Sequence, residues 1–582
     1  MSLLAALVRA HDRLPDAPPF GYSSEKIGFC VVLNPDGSVA EVVDLRGDDK
    51  KRSPRMMLVP QAKKRTVGID PNVLWDKTAY VLGITSGLSK RTSEEHAAFK
   101  AKHLDWLTDA TDEGLAALRL FLEGWTPERF AAPIWHDDVR DQNLVFRLSS
   151  EFTFLHDRPA ARELWRKIGA EGASDPQICL VTGDAAPVAR LHPSIKGVWG
   201  AQSSGASLIS FNLDAFTSYG HEQGDNAPVS EAAAFAYTTA LNRYLADPNH
   251  RIQIGDASTI FWADCADQAA AEKADKWVAV MFGARTHAGD DEAIEEGKIR
   301  DKLLLMRDGK PLAQIAPELA QGVRFHVLGL APNAARLSVR FWWENDFGTL
   351  AENYRRYLTD IAIEPPPRDG WPPLWRYLTE LAVLGKRENV PPLVAGDWMR
   401  AIVTGTPYPL TLMSTALMRI RADGEVNALR AAILKSVLIR NFNSREAPVA
   451  LDPTSKDIGY VLGRLFAAYE NVQKTALGKN VNATIRDKFY GSASSTPSRV
   501  FGSLAANAFN HLSKIRKEKP AFAHYLQDEI EKIANLLDVS GEPFPASLPP
   551  TAQAKFALGY YHQASLRKTS APQTESVSEV TE

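Results

Sequence analysis

Apolar and polar positions divide the first 123 residues into a helix, a hairpin and a second helical stretch. Residues 1–14 place apolar side chains on one face at helical spacing, which predicts an amphipathic helix. Residues 28–46 hold two β-rich runs around Asn34-Pro35-Asp36-Gly37, in which proline presets φ and glycine tolerates a positive φ. They predict a β-hairpin. Between residues 92 and 123, apolar positions recur every three or four residues, which predicts helices.

The middle of the chain mixes strand and helix patterns. Runs of β-branched and aromatic residues predict five strands, at 178–183, 206–212, 258–264, 323–332 and 336–346. Segment 229–247 predicts a helix, with the Ser230 hydroxyl as its N-cap. The acidic and polar segment 284–302 predicts a surface excursion.

A proline-rich segment separates this mixed region from helical sequence. Residues 362–375 contain five prolines, which cannot continue a helix or a central strand, and the pattern beyond them is helical. We therefore predict an α+β protein with a mixed α/β N-terminal body at 1–365 and an all-α C-terminal helical bundle at 366–568. The tail at 569–582 has low hydrophobicity and no aromatic residue, so we predict that it is disordered.

Charge is distributed unevenly along the 582 residues, although the formal net charge is only −3. Residues 50–65 hold seven bases and no acid, and residues 471–520 hold nine bases and two acids, a local net charge of +7. Each segment could follow a nucleic-acid backbone. Each could equally be a solvated surface, or a basic face that binds an acidic protein. The sequence leaves these alternatives open.

Cysteine usage and hydropathy indicate a cytoplasmic protein. Cys30, Cys179 and Cys265 lie far apart without CxxC spacing, which fits a reducing compartment and argues against a disulfide scaffold or a zinc ribbon. No apolar run approaches the roughly 18–20 residues that a membrane helix needs. We predict cytoplasmic localisation and no membrane partner.

Motifs of known catalytic chemistry are missing. The sequence contains no P-loop, no HExxH and no GxSxG. His96 and His103 lack the spacing of three or four that helical metal ligands need, so we predict structural roles for both. The loop His136-Asp137-Asp138 keeps one alternative open, a metal-dependent nuclease or phosphohydrolase, although a two-metal site needs further ligands. We predict no catalytic residue, no metal and no cofactor.

Five segments, in chain order, carry a resemblance to a known family. They are PNVLWDKTAYVLGI (71–84), SFNLDAFTSYGHEQGDNAPVSEAAAFAYTTALN (210–242), IGDASTIFWAD (254–264), RFHVLGLAPNAARLSVRFWW (324–343) and YVLGRLFAAYENVQKTALGKNVNATIRDKFYGSASSTPSRVF (460–501). Together they resemble the large subunit of the type I-C CRISPR interference complex, Cascade.

The resemblance implies a non-catalytic subunit of a guide-RNA ribonucleoprotein, beside the handle-binding subunit, the repeated backbone subunits and the small subunits. Such a subunit finds the protospacer-adjacent motif (PAM) in double-stranded target DNA, promotes opening of the duplex and stabilises the displaced strand. A separate helicase-nuclease is then recruited to cut. The resemblance also implies that the C-terminal helical part is made separately, from an internal start such as Met413, Met418 or a non-ATG codon at Val461.

Residue chemistry within and near the matched segments gives two sets of candidate DNA contacts. For the PAM and the duplex they are Lys63, Lys64, Arg65 and Asn72, with Gln223 and Asn226 from the polar loop before the helix at 229–247. That loop has a second interpretation, in which its Asn and Gly residues serve only turn geometry. For the displaced strand the candidates are Arg486, Lys488, Arg499, Lys514, Arg516 and Lys517.

Overall fold

A computed structural model describes most of the chain: residues 2–15, 17–47, 52–63, 65, 68–87, 91–171, 176–283, 290–368, 370, 372–444, 447–478, 483–538 and 540–566. The chain divides into two compact units, Met1–Ile195 with Ile209–Asn242, and Lys196–Leu208 with Arg243–Glu582. We call them the first and the second unit. The predicted α+β class is confirmed. The proline-rich segment lies inside the second unit, and a functional division of the chain at residue 365 stays a prediction. The tail at 569–582 lies outside the described residues.

The first unit is built on a four-stranded sheet. Its elements are α1 (Leu3–Arg13), β1 (Tyr22–Ile27), β2 (Phe29–Leu33), β3 (Val39–Asp44), β4 (Arg55–Pro60), β5 (Asp76–Lys77), α2 (Thr78–Val81), α3 (Thr92–Trp106), α4 (Glu113–Gly124), β6 (Asn143–Leu148), α5 (Pro159–Glu171), β7 (Pro176–Ile178), β8 (Ala185–Pro187) and α6 (Glu231–Ala246), whose last turn continues into the second unit. The sheet order is β3-β2-β6-β5, with β2 and β6 parallel, and β1 pairs with β4.

The central strand β2 is buried on both faces, because side chains alternate across a strand. Phe29, Val31 and Leu33 pack in the core with α3 and α4, whereas Cys30 and Val32 pack with β1 and β4. The predicted hairpin is confirmed, since β2 and β3 pair antiparallel. The predicted helices at 1–14, 92–123 and 229–247 are confirmed as well, and the Ser230 hydroxyl accepts a hydrogen bond from the Ala233 amide at 3.2 Å.

Two predicted strands are wrong. Of 178–183 only Ile178 is in a strand, because Cys179 and Gly183 close a turn between β7 and β8 in which Gly183 has a φ of 83°. Segment 206–212 forms no strand. It passes from the second unit to the first, and Ser207 makes a single bridge with Arg336.

The second unit combines an antiparallel sheet with helices. Its elements are β9 (Arg251–Ile254), β10 (Ala257–Asp264), α7 (Gln268–Phe282), α8 (Asp290–Arg307), α9 (Leu312–Ile315), α10 (Pro317–Ala320), β11 (Arg324–Asn333), β12 (Arg336–Asp346), α11 (Phe347–Ile361), α12 (Leu374–Thr379), α13 (Pro392–Thr404), α14 (Leu410–Asp423), α15 (Ala428–Phe442), α16 (Ile458–Leu477), α17 (Ile485–Ser495), α18 (Phe501–Glu518), α19 (Pro520–Ala534) and α20 (Pro550–Ser565). The sheet order is β12-β11-β10-β9, which confirms the predicted strands at 258–264, 323–332 and 336–346.

One hydrophobic core runs from this sheet to the C-terminal helices. At its far end α16 and α20 approach each other so closely that glycines replace side chains at the contact. A Cβ atom on Gly463 would overlap the carbonyl oxygen of Phe556, and one on Gly559 would overlap that of Tyr460. Among the described residues, no helix is both long enough and apolar enough to cross a bilayer.

Candidate nucleic-acid interface

The basic loop, residues 61–76, is fixed by an ion pair between Arg65 and Asp76. Two guanidinium nitrogens of Arg65 contact the two carboxylate oxygens, with 3.1 Å between Nη1 and Oδ1. Arg65 Nε donates to the Asp70 carbonyl oxygen at 2.7 Å, and its guanidinium lies 4.0 Å from the ring centre of Tyr80. Burial raises the pKa of the Asp76 carboxyl, and the charge of Arg65 acts in the opposite direction. Arg65 therefore anchors the loop.

Asn72 is a second internal brace of the basic loop. Its side chain is only 4% exposed, and its Oδ1 accepts a hydrogen bond from the Lys63 amide at 2.9 Å. The Asn72 amide in turn donates to Asp76 Oδ2 at 2.9 Å. Contact between the Asn72 side chain and a base would therefore require the loop to open. Lys64 lies outside the described residues.

A buried histidine supports the loop from the side of α3. The Leu74 amide donates to His103 Nε2 at 3.0 Å, and His103 Nδ1 lies 2.8 Å from the Phe99 carbonyl oxygen. Burial lowers the pKa of His103 to about 4, so the ring is neutral at pH 7. His96 Nδ1 lies 2.9 Å from the Tyr80 carbonyl oxygen. Both histidines have the structural roles that their spacing predicts.

Lys63 is the other described base of this loop. Its side chain is partly exposed, and among the described residues no carboxylate lies within ion-pair distance of it. Its Nζ lies 5.7 Å from the ring centre of Trp165. Burial raises the pKa of Glu231, and the charge of Lys63 lowers it. Since Glu231 is the first residue of α6, Lys63 lies near the end of the polar loop, residues 212–230.

The polar loop presents an aromatic ring at a tight turn. The His221 amide donates to the Ser218 carbonyl oxygen at 2.9 Å, and the two residues between them, Tyr219 and Gly220, have φ angles of 52° and 78°. Two positive φ values in succession are typical of a type I′ turn. The Tyr219 side chain is 99% exposed. Sequence reasoning did not select this residue, although a Tyr-Gly pair in a polar loop was a signal.

The two amides predicted as contacts in the polar loop have internal partners. Asn226 Nδ2 donates to the carbonyl oxygens of His221 and Gln223, each at 3.1 Å, and its Oδ1 accepts from the Ser218 amide at 3.1 Å. Gln223 Oε1 accepts from Arg190 at 2.8 Å. Asn226 thus holds the turn in shape, while Gln223 and Arg190 form an exposed polar pair beside it.

The basic C-terminal helices, α17 to α19 of the second unit, carry the other candidates. Helix α18 buries an apolar residue every three or four positions, from Phe501 to Ile515, which leaves its bases on the opposite side. Five of the predicted contacts are exposed on α17, α18 and the turn between them: Lys488, Arg499, Lys514, Arg516 and Lys517. Arg516 donates to Gln527 of α19 at 2.6 Å. Lys479 lies outside the described residues.

Arg486 differs from the other bases of this region. It is partly buried, lies 3.7 Å from Asp487 and interacts electrostatically with Glu470 and Tyr560 in the core of the unit. Glu470 also accepts hydrogen bonds from Tyr560 at 2.6 Å and from Thr484 at 2.9 Å. Arg486 therefore faces an internal polar network more than the solvent.

Two exposed aromatic residues follow the exposed bases of α18 in sequence. Phe522 and Tyr525 begin α19, directly after Lys517 and Lys519, and their rings stack with centroids 6.0 Å apart and planes inclined by 11°. Aromatic rings beside basic side chains are typical of surfaces that bind single-stranded nucleic acid. Sequence reasoning missed this pair, although aromatic residues three positions apart after a run of bases were the available signal.

The acidic loop at 136–138 does not gather a metal-ligand set. Asp138 lies 3.0 Å from both Arg46 and Arg52, and Asp137 lies 2.8 Å from Arg140. Within the described ranges no group of three or more His, Cys, Asp or Glu side chains could hold a metal ion. The carboxylates of this loop are thus partners of arginines, which weakens the alternative of a metal-dependent nuclease.

Comparison with known families identifies the class of protein as CRISPR-associated. The chain belongs to the family described as CRISPR-associated protein (Cas_Csd1), whose model matches residues 5–567. This match confirms the resemblance to the large subunit of a Cascade complex. None of the curated proteins compared with the chain matches it.

Proposed function

We propose that this chain is the non-catalytic large subunit of a type I-C Cascade, which recognises the PAM, promotes R-loop formation and stabilises the displaced strand. The observation that carries the proposal is the run of exposed bases at the end of α18, followed within a few residues by the exposed, stacked rings of Phe522 and Tyr525 at the start of α19. A charged path with sequence-tolerant stacking is what a displaced strand requires, because guide pairing supplies the sequence specificity.

The duplex contact belongs to the first unit in this proposal. Lys63 contacts a phosphate, and Tyr219 with Gln223 approaches the bases from the neighbouring polar loop. Arg65, Asn72 and Asn226 support the reading surface, since each has partners within its own loop. Lys64 stays a candidate from the sequence alone.

The partners in this proposal are a guide-RNA ribonucleoprotein, the target duplex, the handle-binding, backbone and small subunits, and a recruited helicase-nuclease. We place the protein in the cytoplasm. The family assignment supports membership in a CRISPR effector complex. The arginine-paired carboxylates at 136–138 support a role without catalysis.

Lys63→Ala is expected to weaken target-duplex binding by the assembled complex at every PAM variant alike, because a phosphate contact carries no base preference. The slope of log K against log salt should become shallower by about 1. Electrophoretic mobility shifts with labelled duplex at several salt concentrations measure both quantities. Arg166→Ala, an exposed arginine of α5 paired with Glu163, is the matched control. Unchanged affinity and slope for Lys63→Ala would remove Lys63 from the interface.

Lys514→Ala combined with Lys517→Ala is expected to shorten the R-loop lifetime with little change in PAM preference. Phe522→Ala combined with Tyr525→Ala should cost about 1–3 kcal/mol for each stacked base. Permanganate footprinting of displaced-strand thymines measures R-loop occupancy over time. Lys532→Ala, an exposed lysine of α19 that pairs with Asp528 at 2.7 Å, is the control. If neither double variant alters occupancy, the basic face instead serves a protein partner.

A further inference from the structure

A cleft between α7 and α8 of the second unit collects positive charge away from the basic C-terminal helices. Its volume is about 480 Å³. Two lysines come from each helix: Lys273 and Lys276 from α7, and Lys298 and Lys302 from α8. Their spacings of three and four residues set each pair on one helix face. The sequence predicted only an acidic surface excursion at 284–302, because the α7 lysines that complete the cluster are distant in the chain.

The four lysines of this cleft are only partly neutralised. Lys273 pairs with Glu318, and Lys276 lies 3.1 Å from Glu295. No ion pair reaches Lys298 or Lys302 from the residues that the structure describes. Burial lowers the pKa of Lys273 and the charge of Lys302 lowers it further, while the charge of Glu295 raises it, so the repulsion between the two ammonium groups is only partly offset. An anion carrying at least two charges would relieve that repulsion.

The lining of the cleft is not exclusively ionic. Ile294, which is 58% exposed, supplies apolar surface between the lysines, whereas Ile299 and Trp277 line the cleft but are 6% and 0% exposed. Phosphate oxygens can meet the ammonium groups while a base or sugar contacts Ile294. The walls are exposed at Ile294 and Lys298, so a chain can pass through the cleft. Free nucleotides bind in enclosed pockets that bury most of the ligand, and this cleft is more open than such a pocket.

We infer that the cleft lined by Lys273, Lys276, Lys298 and Lys302 binds two successive phosphodiester groups of a single-stranded nucleic acid. The inference rests on the proposed function, because it assumes that a single strand is a ligand of this protein. It adds a binding site for that strand apart from the residues of α17 to α19.

The test measures binding of a fluorescein-labelled oligo(dT) to the full-length chain. An oligonucleotide of about 20 nucleotides is long enough for the site sizes of single-strand binders. Lys298→Ala combined with Lys302→Ala is expected to weaken binding about 20-fold at 0.1 M salt and to reduce the salt slope by about 1.4, the value for two phosphates of a single strand. Arg300→Ala is the matched control, because Arg300 lies between the two lysines on α8 but does not line the cleft. Thermal unfolding of each variant verifies the fold.

Photocrosslinking locates the bound strand on the protein without relying on a measured affinity. An oligo(dT) that carries 4-thiothymidine is expected to crosslink to peptides spanning 273–302 in the parent and not in the double variant. Normal affinity and normal crosslinking of the double variant would overturn the assignment of the cleft as a binding site. Absence of binding by the parent protein would overturn the proposed function itself. Displacement of the strand by millimolar ATP with the salt slope unchanged would assign the cleft to free nucleotides and overturn the inference. Retained strand binding in ATP supports it.

Discussion

Gly463→Ala is expected to destabilise the C-terminal helices by about 3 kcal/mol, the upper part of the usual range for overpacking. The added methyl group would overlap the carbonyl oxygen of Phe556, which is backbone and cannot rotate away as a side chain can. Helix α20 would have to shift against α16, and the shift would disturb the buried hydrogen bond of 2.9 Å between Tyr460 and His562. Urea unfolding followed by circular dichroism measures the change in free energy.

Gly491→Ala is the matched control for this experiment. Gly491 lies inside α17, and no atom comes within 4 Å of the position its Cβ would take. Alanine there should leave stability unchanged or raise it by about 0.5–1 kcal/mol, because it reduces the entropy of the unfolded chain. Equal destabilisation by the two substitutions would show that the close contact of α16 with α20 is not the cause, because helix propensity favours alanine at both positions.

Helices and hairpins were predictable because their signals are local. The hairpin at Asn34-Pro35-Asp36-Gly37 needed only turn chemistry, and α6 needed only apolar spacing with a cap at Ser230. The contact of Gly463 with Phe556 joins residues more than 90 positions apart, and no periodicity reports it. The strand predicted at 206–212 was wrong because the segment passes from one unit to the other, and its pairing is limited to the bridge of Ser207 with Arg336 among the described residues.

The sequence predicted which segments carry the candidate site, but it did not predict which of their basic side chains have partners within the protein. Clustered bases at 50–65 and 471–520 directed attention to these surfaces. The role of each base depends on the carboxylates that the fold brings close. Asp76 pairs with Arg65, and Glu470 with Tyr560 interacts with Arg486. Lys63 interacts electrostatically with Glu231 but forms no ion pair among the described residues. Lys298 and Lys302 escaped notice for a different reason, since the two lysines that complete their cluster, Lys273 and Lys276, come from another helix.

Asp76→Ala is expected to destabilise the first unit by about 3–5 kcal/mol, the usual cost of removing one partner of a buried ion pair. Asp76 is 1% exposed, and its carboxylate accepts from Arg65 and from the amides of Asn72 and Lys77, the latter two at 2.9 and 2.8 Å. The substitution leaves these donors unsatisfied, and the basic loop loses its anchor. Hydrogen exchange of peptides covering 68–77 should accelerate strongly, and target-duplex affinity should fall with it.

Asp70→Ala separates the anchoring of the loop from its charge. Asp70 is exposed and pairs with Lys102 at 2.7 Å. Its loss changes the net charge of the loop by the same amount as Asp76→Ala, but it should lower the free energy of unfolding by less than about 1 kcal/mol. Duplex affinity should be preserved or slightly increased by the Asp70 variant and lost in the Asp76 variant. If Asp76→Ala retains duplex affinity while exchange at 68–77 accelerates, the ordered loop is not the duplex contact, and Lys63 acts independently of the geometry that Arg65 and Asp76 impose.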